Sequence, residues 1–150
     1  MILIVPIVDN STDVIIIKDE YTEGLKLEPL NYNNTYILKL PNSINNNTKN
    51  FLKYLLNMNS KDFLIRKVIS EDEHEEKVSY CFIETFDYEP LNLLSFDELI
   101  ELINFFDCMN IKKLIIPFIY FVSQKFNKEN KYVLDIAKNR RWGDILVYYK

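Results

Sequence analysis

The sequence predicts an α+β domain, a small N-terminal sheet packed against a helical cluster with an extra helix toward the C-terminus. Two β-branched runs, 2–8 and 14–17, open the chain and are separated by Asp9-Asn10-Ser11-Thr12-Asp13, residue types that make turns, so an antiparallel hairpin is expected. Ser95 followed three residues later by Glu98 forms a capping box, and Leu94 with Leu99 forms a hydrophobic staple around it, which marks a helix start. From that start Phe96, Leu99, Ile100, Ile103 and Phe106 recur at helical spacing, with Asp97, Glu98, Glu101 and Asn104 on the other side. A helix with so complete an apolar stripe belongs at the centre of the core.

Between these landmarks the elements follow in order. Residues 19–34 contain Gly24 and Pro29 without a sustained period and read as loop with one helical turn at most. Residues 36–40 read as a strand that stops at Pro41, where a ladder donor is lost. A helix over about 48–58 follows, with Phe51, Leu52, Leu55 and Leu56 as its apolar stripe. Residues 63–69 and 78–86 read as strands, and the acidic run 71–76 between them reads as a solvated loop. Tyr88-Glu89-Pro90 is a turn into the marked helix. Residues 111–126 carry Leu114, Ile115, Phe118, Ile119, Val122 and Phe126 at helical spacing, with Pro117 predicting a kink or a restart. Residues 132–137 read as a short helix closed near Gly143, and the final Tyr148-Tyr149 as a docked tail or an exposed strand edge.

Composition narrows the function classes. With 150 residues the expectation is one domain with its own core. A net charge of only −4 carries no nucleic-acid footprint. Aromatics at 14% beside only two glycines indicate dense packing and few left-handed turns, which suits helices more than hairpins. Cys81 and Cys108 are the only cysteines, too few for a disulfide scaffold, so a reducing intracellular setting, cytoplasmic or nuclear, is expected. The apolar start lacks a basic leader and is too short to span a bilayer, and no membrane partner is expected. Richness in Asn, Ile and Lys is what an AT-rich genome yields, in a protist or a large DNA virus alike.

No catalytic constellation stands out, and neither an enzyme activity, a metal nor a cofactor is expected. His74 lies among carboxylates but has no second histidine or cysteine pair to complete a metal set. Cys108 has no basic neighbour in sequence to lower its pKa. Asp97 and Glu101 sit on the polar side of a helix whose other side is core. Arg140-Arg141-Trp142 is the one compact group of residue types favoured at binding hot spots, against the alternative of a tryptophan that packs the last helix. Phe105 and Phe106 are adjacent, so with Phe106 in the stripe Phe105 is expected at the surface or at a second interface.

Two segments carry a resemblance. The first is the acidic and aliphatic helix from Ser95, a short turn, and Met109-Asn110-Ile111-Lys112-Lys113-Leu114; the second is Ile37-Leu38-Lys39-Leu40-Pro41-Asn42 followed by Asn50-Phe51-Leu52-Lys53-Tyr54-Leu55-Leu56. Together and in this order they resemble the BTB/POZ fold, and within it the Skp adaptors of SCF ubiquitin ligases and elongin C. The resemblance divides the chain into a Skp-like core over 1–126 and a C-terminal helical extension over 127–150. It implies a non-enzymatic adaptor, or a viral mimic of one, linking a cullin-type scaffold to an F-box or similar box-motif receptor. By resemblance the scaffold side falls on Phe105, Asp107, Cys108, Met109 and Lys112, with Asp107-Cys108 replacing the family's asparagine-tyrosine. The box-motif side falls on Ile115, Phe118, Ile119, Val122, Val133, Ile136 and Trp142. The alternative is a self-associating BTB/POZ module, structural or packaging in role, that forms homo-oligomers.

Overall fold

The computed structural model describes residues 2–6, 15–21, 36–40, 45–71, 76–139 and 146–149. His74, Gly143 and the Arg140-Arg141-Trp142 group lie outside the described residues, as does most of the 19–34 stretch. Among the described residues the architecture is mixed α+β, with one four-stranded sheet, one two-stranded hairpin and a helical cluster.

The opening runs form strands β1 (Ile2–Pro6) and β2 (Ile15–Ile17), paired antiparallel with Leu3 opposite Ile16. Strand β3 (Tyr36–Leu40) lies parallel to β1 and ends one residue before Pro41. The chain end returns as β6 (Leu146–Tyr149), antiparallel to β3, giving the order β2-β1-β3-β6. The Tyr148-Tyr149 tail is thus a paired strand, and the expected helical extension also contributes to the N-terminal sheet.

A 3-10 turn at Asp19–Tyr21 fixes this sheet to helix α1 (Asn46–Leu56). The Lys18 amide donates to the Leu56 carbonyl, the Tyr21 hydroxyl donates to the Met58 carbonyl at 2.8 Å, and the Ser60 amide donates to Glu20 Oε1 at 2.7 Å. The carbonyls at the end of α1, left without intrahelical donors, therefore find partners in the turn that follows β2. Asn45 caps the start of α1 by accepting from the Asn47 amide, which moves the helix two residues ahead of its expected beginning.

Strands β4 (Leu64–Glu71) and β5 (Glu76–Phe82) pair as a hairpin with a bulge between Val68 and Ser70. Glu71 and Glu76 sit opposite each other in the ladder. The ends of the acidic run therefore belong to strands, because flanking β-branched and aromatic residues outweigh the low strand preference of glutamate. The expected turn at Tyr88 is a short helix, α2 (Glu89–Asn92), with Pro90 in its first turn, where its missing N–H removes nothing.

Helix α3 (Phe96–Cys108) starts on the capping box as expected. The Glu98 amide donates to Ser95 Oγ at 3.2 Å and the Ser95 amide donates to Glu98 Oε1 at 2.9 Å. Helix α3 packs against α1, against α4 (Lys112–Phe126) and against α5 (Asn130–Asn139). Neighbours on several sides explain three departures from the simple stripe: Phe105, Asn104 and Glu98 are all buried. Phe105 is fully covered rather than exposed, its ring 6.1 Å from that of Phe106, which in turn meets Phe118 edge-on at 5.0 Å. Asn104 is tolerated because its amide donates to the Ala137 carbonyl, one of the α5 carbonyls without an intrahelical donor, while its Oδ1 accepts from Cys108 Sγ at 3.7 Å. On the α1 side, the buried Thr48 hydroxyl donates to Glu101 Oε2 at 3.0 Å, so Glu101 serves as a helix-to-helix acceptor.

The scarcity of glycine is resolved by asparagine. Asn110 and Asn127 hold positive φ, 54° and 52°, after α3 and α4. Beyond Asn110 the Ile111 amide donates to the Phe106 carbonyl at 2.8 Å and the Asn110 amide to Asp107, the paired bonds of a Schellman ending. Left-handed closures are therefore present, made by the other residue type whose short side chain tolerates them. Helix α4 runs unbroken through Pro117, which supplies no N–H to the Lys113 carbonyl.

Candidate interaction groove

Helix α4 has two apolar sides, and only one is core. Leu114, Phe118, Ile119 and Val122 are buried, as are Val133 and Ala137 of α5. Ile115 and Ile136 are half-buried against the same core. Of the residues that the Skp resemblance placed on a box-motif surface, Phe118, Ile119, Val122 and Val133 thus lie in the interior between α3, α4 and α5, with Ile115 and Ile136 half-buried against it. The reason is periodic: α5 covers the side of α4 that a free adaptor groove would need. Trp142 lies outside the described residues.

The outward side of α4 carries Ile116, Tyr120 and Gln124, all exposed, with Phe121 half-buried beside them. Together with β5 and α2 it forms an open groove of about 660 Å³. Phe82 and Pro117 lie along it, Tyr120, Phe121 and Gln124 come from α4, and Tyr88 and Asn92 from the opposite wall. The walls are built of aromatic stacking. Phe82 stacks on Phe86 at 4.4 Å and 16°, and Tyr88 stacks on Phe121 at 5.6 Å and 7°. Tyr88 also meets both Phe82 and Phe86 edge-on, and Phe82 meets the buried Phe118 edge-on, so the groove is continuous with the core. Offset and edge-on pairs of this kind hold aromatic side chains in fixed orientations.

One end of the groove is polar. Lys125 Nζ donates to the Asn92 carbonyl at 3.2 Å, bridging α4 and α2, and lies 5.8 Å and 5.4 Å from the ring centroids of Phe121 and Phe126. Cys81 also borders the groove and is a free thiol. Such an arrangement is chemically suited to an apolar or aromatic surface that carries an anion near one end. Spacing alone hid it, because Ile116, Tyr120 and Gln124 look like an ordinary solvent stripe until Phe82, Tyr88 and Asn92 are brought alongside.

The turn between α3 and α4 makes a separate surface. Cys108, Asn110 and Lys112 are exposed and Asp107 is partly so, whereas Met109, like Phe105, is buried. Of the expected scaffold side, Asp107, Cys108 and Lys112 therefore remain at the surface. The Cys108 thiol is pushed up by partial burial and by the neighbouring Asp107 carboxylate, which disfavours a thiolate. A smaller hollow, about 360 Å³, lies between α1 and α2, bordered by Asn50, Phe51, Tyr54, Pro90 and Leu93.

Among the described residues no helix is long and apolar enough to cross a membrane, and no group of three or more His, Cys, Asp or Glu is arranged to hold a metal ion. No family model matches the chain, and neither does any curated protein or solved structure.

Proposed function

We propose that this chain is a non-enzymatic adaptor of the BTB/POZ, Skp-like class, joining a cullin-type scaffold to a box-motif receptor of the F-box kind. Either it acts in its own right or it is a virus-encoded mimic of such an adaptor. The observation that carries the reading is the presence of two separate surfaces: the turn between α3 and α4, where Asp107, Cys108 and Lys112 reach the surface, and the aromatic groove along the outward side of α4. The order of elements supports the reading: an N-terminal hairpin, a strand ending ahead of Pro41, a helix and, beyond the β4–β5 hairpin and α2, the α3–α4 pair with its capped start. In this reading the scaffold meets Asp107, Cys108 and Lys112. The box-motif helix meets Tyr120 and Phe121, in place of the buried Ile119 and Val122.

The test is size-exclusion chromatography with light scattering on the purified chain mixed with a cullin N-terminal domain and an F-box peptide. The expected result is a ternary complex that loses the cullin domain in a Lys112→Glu variant and loses the peptide in a Tyr120→Ser variant. Retention of neither partner by the wild-type chain overturns the reading.

A second reading is favoured by one observation. Leu93 is 79% exposed beside the hollow between α1 and α2, an arrangement suited to a self-associating module in which the Leu93 side chain of one copy enters the hollow of another. A mass that is a multiple of the single chain, reduced to one chain by Leu93→Ser, supports it.

A further inference from the structure

We infer that the groove between α4 and the 82–92 segment takes an amphipathic partner helix whose apolar stripe is flanked on one side by carboxylates, and that one of these meets the Lys125 ammonium. The inference rests on the adaptor reading and adds to it the chemistry of the receptor segment. Lys125 is held at one end of the groove by a neutral carbonyl and two aromatic rings, and among the described residues no carboxylate contacts it. Helix α4 itself carries Lys112, Lys113 and Lys125 and no carboxylate along its length. Lys125 is solvent-exposed, so a carboxylate paired with it gains a modest attraction, strengthened where the aromatic wall shields one side of the pair.

The segment that supplies Phe82, Tyr88 and Asn92 to the groove carries the other sign. Tyr88 stands between the exposed Asp87 and Glu89, with Glu84 also exposed shortly before them. Two wall-forming segments of opposite charge favour a helix with acids on one flank of its apolar stripe and bases on the other, and they give it a preferred direction in the groove. They also disfavour a nucleic-acid phosphate backbone, which would meet Asp87 and Glu89 as well as Lys125. From Pro117 to Lys125 the groove follows α4 for roughly 12 Å at the ordinary helical rise, enough for about two turns of a partner helix.

The experiment uses the full chain and synthetic capped peptides of about 14 residues, roughly four helical turns, sharing one Leu/Phe stripe. Glu flanks one side and Lys the other in the first peptide; Lys flanks both sides in the second, and a single-stranded oligonucleotide serves as a third probe. Binding is read by fluorescence polarisation and located by amide chemical shifts. The expected result is a preference of about tenfold for the mixed-charge peptide over the all-Lys peptide, the scale of one charge-assisted contact. Lys125→Glu should abolish that preference, while Tyr120→Ser should weaken both peptides alike. Equal affinity for the two peptides, a preference unchanged in Lys125→Glu, shifts mapping outside the groove, or tighter binding of the oligonucleotide each overturns the inference. Failure here leaves the adaptor reading standing if the ternary complex still forms. A charge preference without any ternary complex leaves the groove chemistry standing and removes the adaptor role.

Discussion

Asparagine does at helix ends here what glycine does in most chains. Asn127, at φ 52°, closes α4 by donating its amide to the Ser123 carbonyl, and the following Lys128 amide donates to the same oxygen. Asn127→Gly should keep the melting temperature close to that of the parent chain. Asn127→Val, which places a branched Cβ in the left-handed region, should lower stability by about 1–2 kcal/mol in a urea titration. The glycine count was a poor guide to such turns, because it ignores the tolerance of asparagine for positive φ. At the same scale, Glu20 and Tyr21 report on the joint between sheet and helices. Partial burial pushes the Glu20 carboxyl up, but the hydrogen bonds from Ser60 and the nearby Lys113 ammonium outweigh it and hold the group below the usual glutamate range. Such a depressed carboxylate contributes stability that is complete above its unfolded pKa, about 4.3, and is lost as pH falls through its lower folded value. Glu20→Gln should therefore be less stable than the parent at pH 7, with the gap closing on acidification below about pH 4. Tyr21 shifts the other way: burial first, then the Glu20 carboxylate, raises its hydroxyl well above the ordinary range. Its contribution is complete below the unfolded value of about 10 and declines at higher pH as the unfolded chain ionises.

Among the elements, α3 and α4 show what periodicity reveals and what it leaves out. The start of α3 was legible because a capping box and a staple are local, and Ser95, Glu98, Leu94 and Leu99 lie where those motifs require. The burial of Phe105 and Asn104 was not legible, since it depends on α1, α4 and α5 surrounding one helix, which no single stripe encodes. For α4 the apolar spacing identifies the helix, yet it does not say which side the neighbouring elements cover, and Ile119 and Val122, expected at an interface, are buried. Leu114, Phe118 and Val122 are core, and Tyr120 with Phe121 borders the groove. This assignment predicts a contrast between neighbouring positions. Val122→Asp should cost about 4 kcal/mol or more, because it leaves an unpaired charge in the interior. Ile116→Asp, on the exposed side, should shift the urea midpoint only slightly. Equal losses for the two would contradict the packing described for α4.

For the whole molecule, the α+β class was legible from two β-branched runs and one marked helix. The return of β6 to the side of β3 was not, because a strand pairing across more than a hundred residues of sequence leaves no local trace. The same limit applies to the groove, whose walls come from β5, α2 and α4 and meet only in the folded chain. The proposed adaptor role needs a preformed core with two separate surfaces, one at the turn between α3 and α4 and one along the outward side of α4. Amide hydrogen exchange tests it most directly, measured on the chain alone and in a mixture with a cullin N-terminal domain and an F-box peptide. Residues 99–106 should already be protected in the free chain and should not change. New protection should appear in two distinct stretches, 107–112 and 117–125. Slowed exchange confined to 99–106, or no change in either outer stretch, would contradict it.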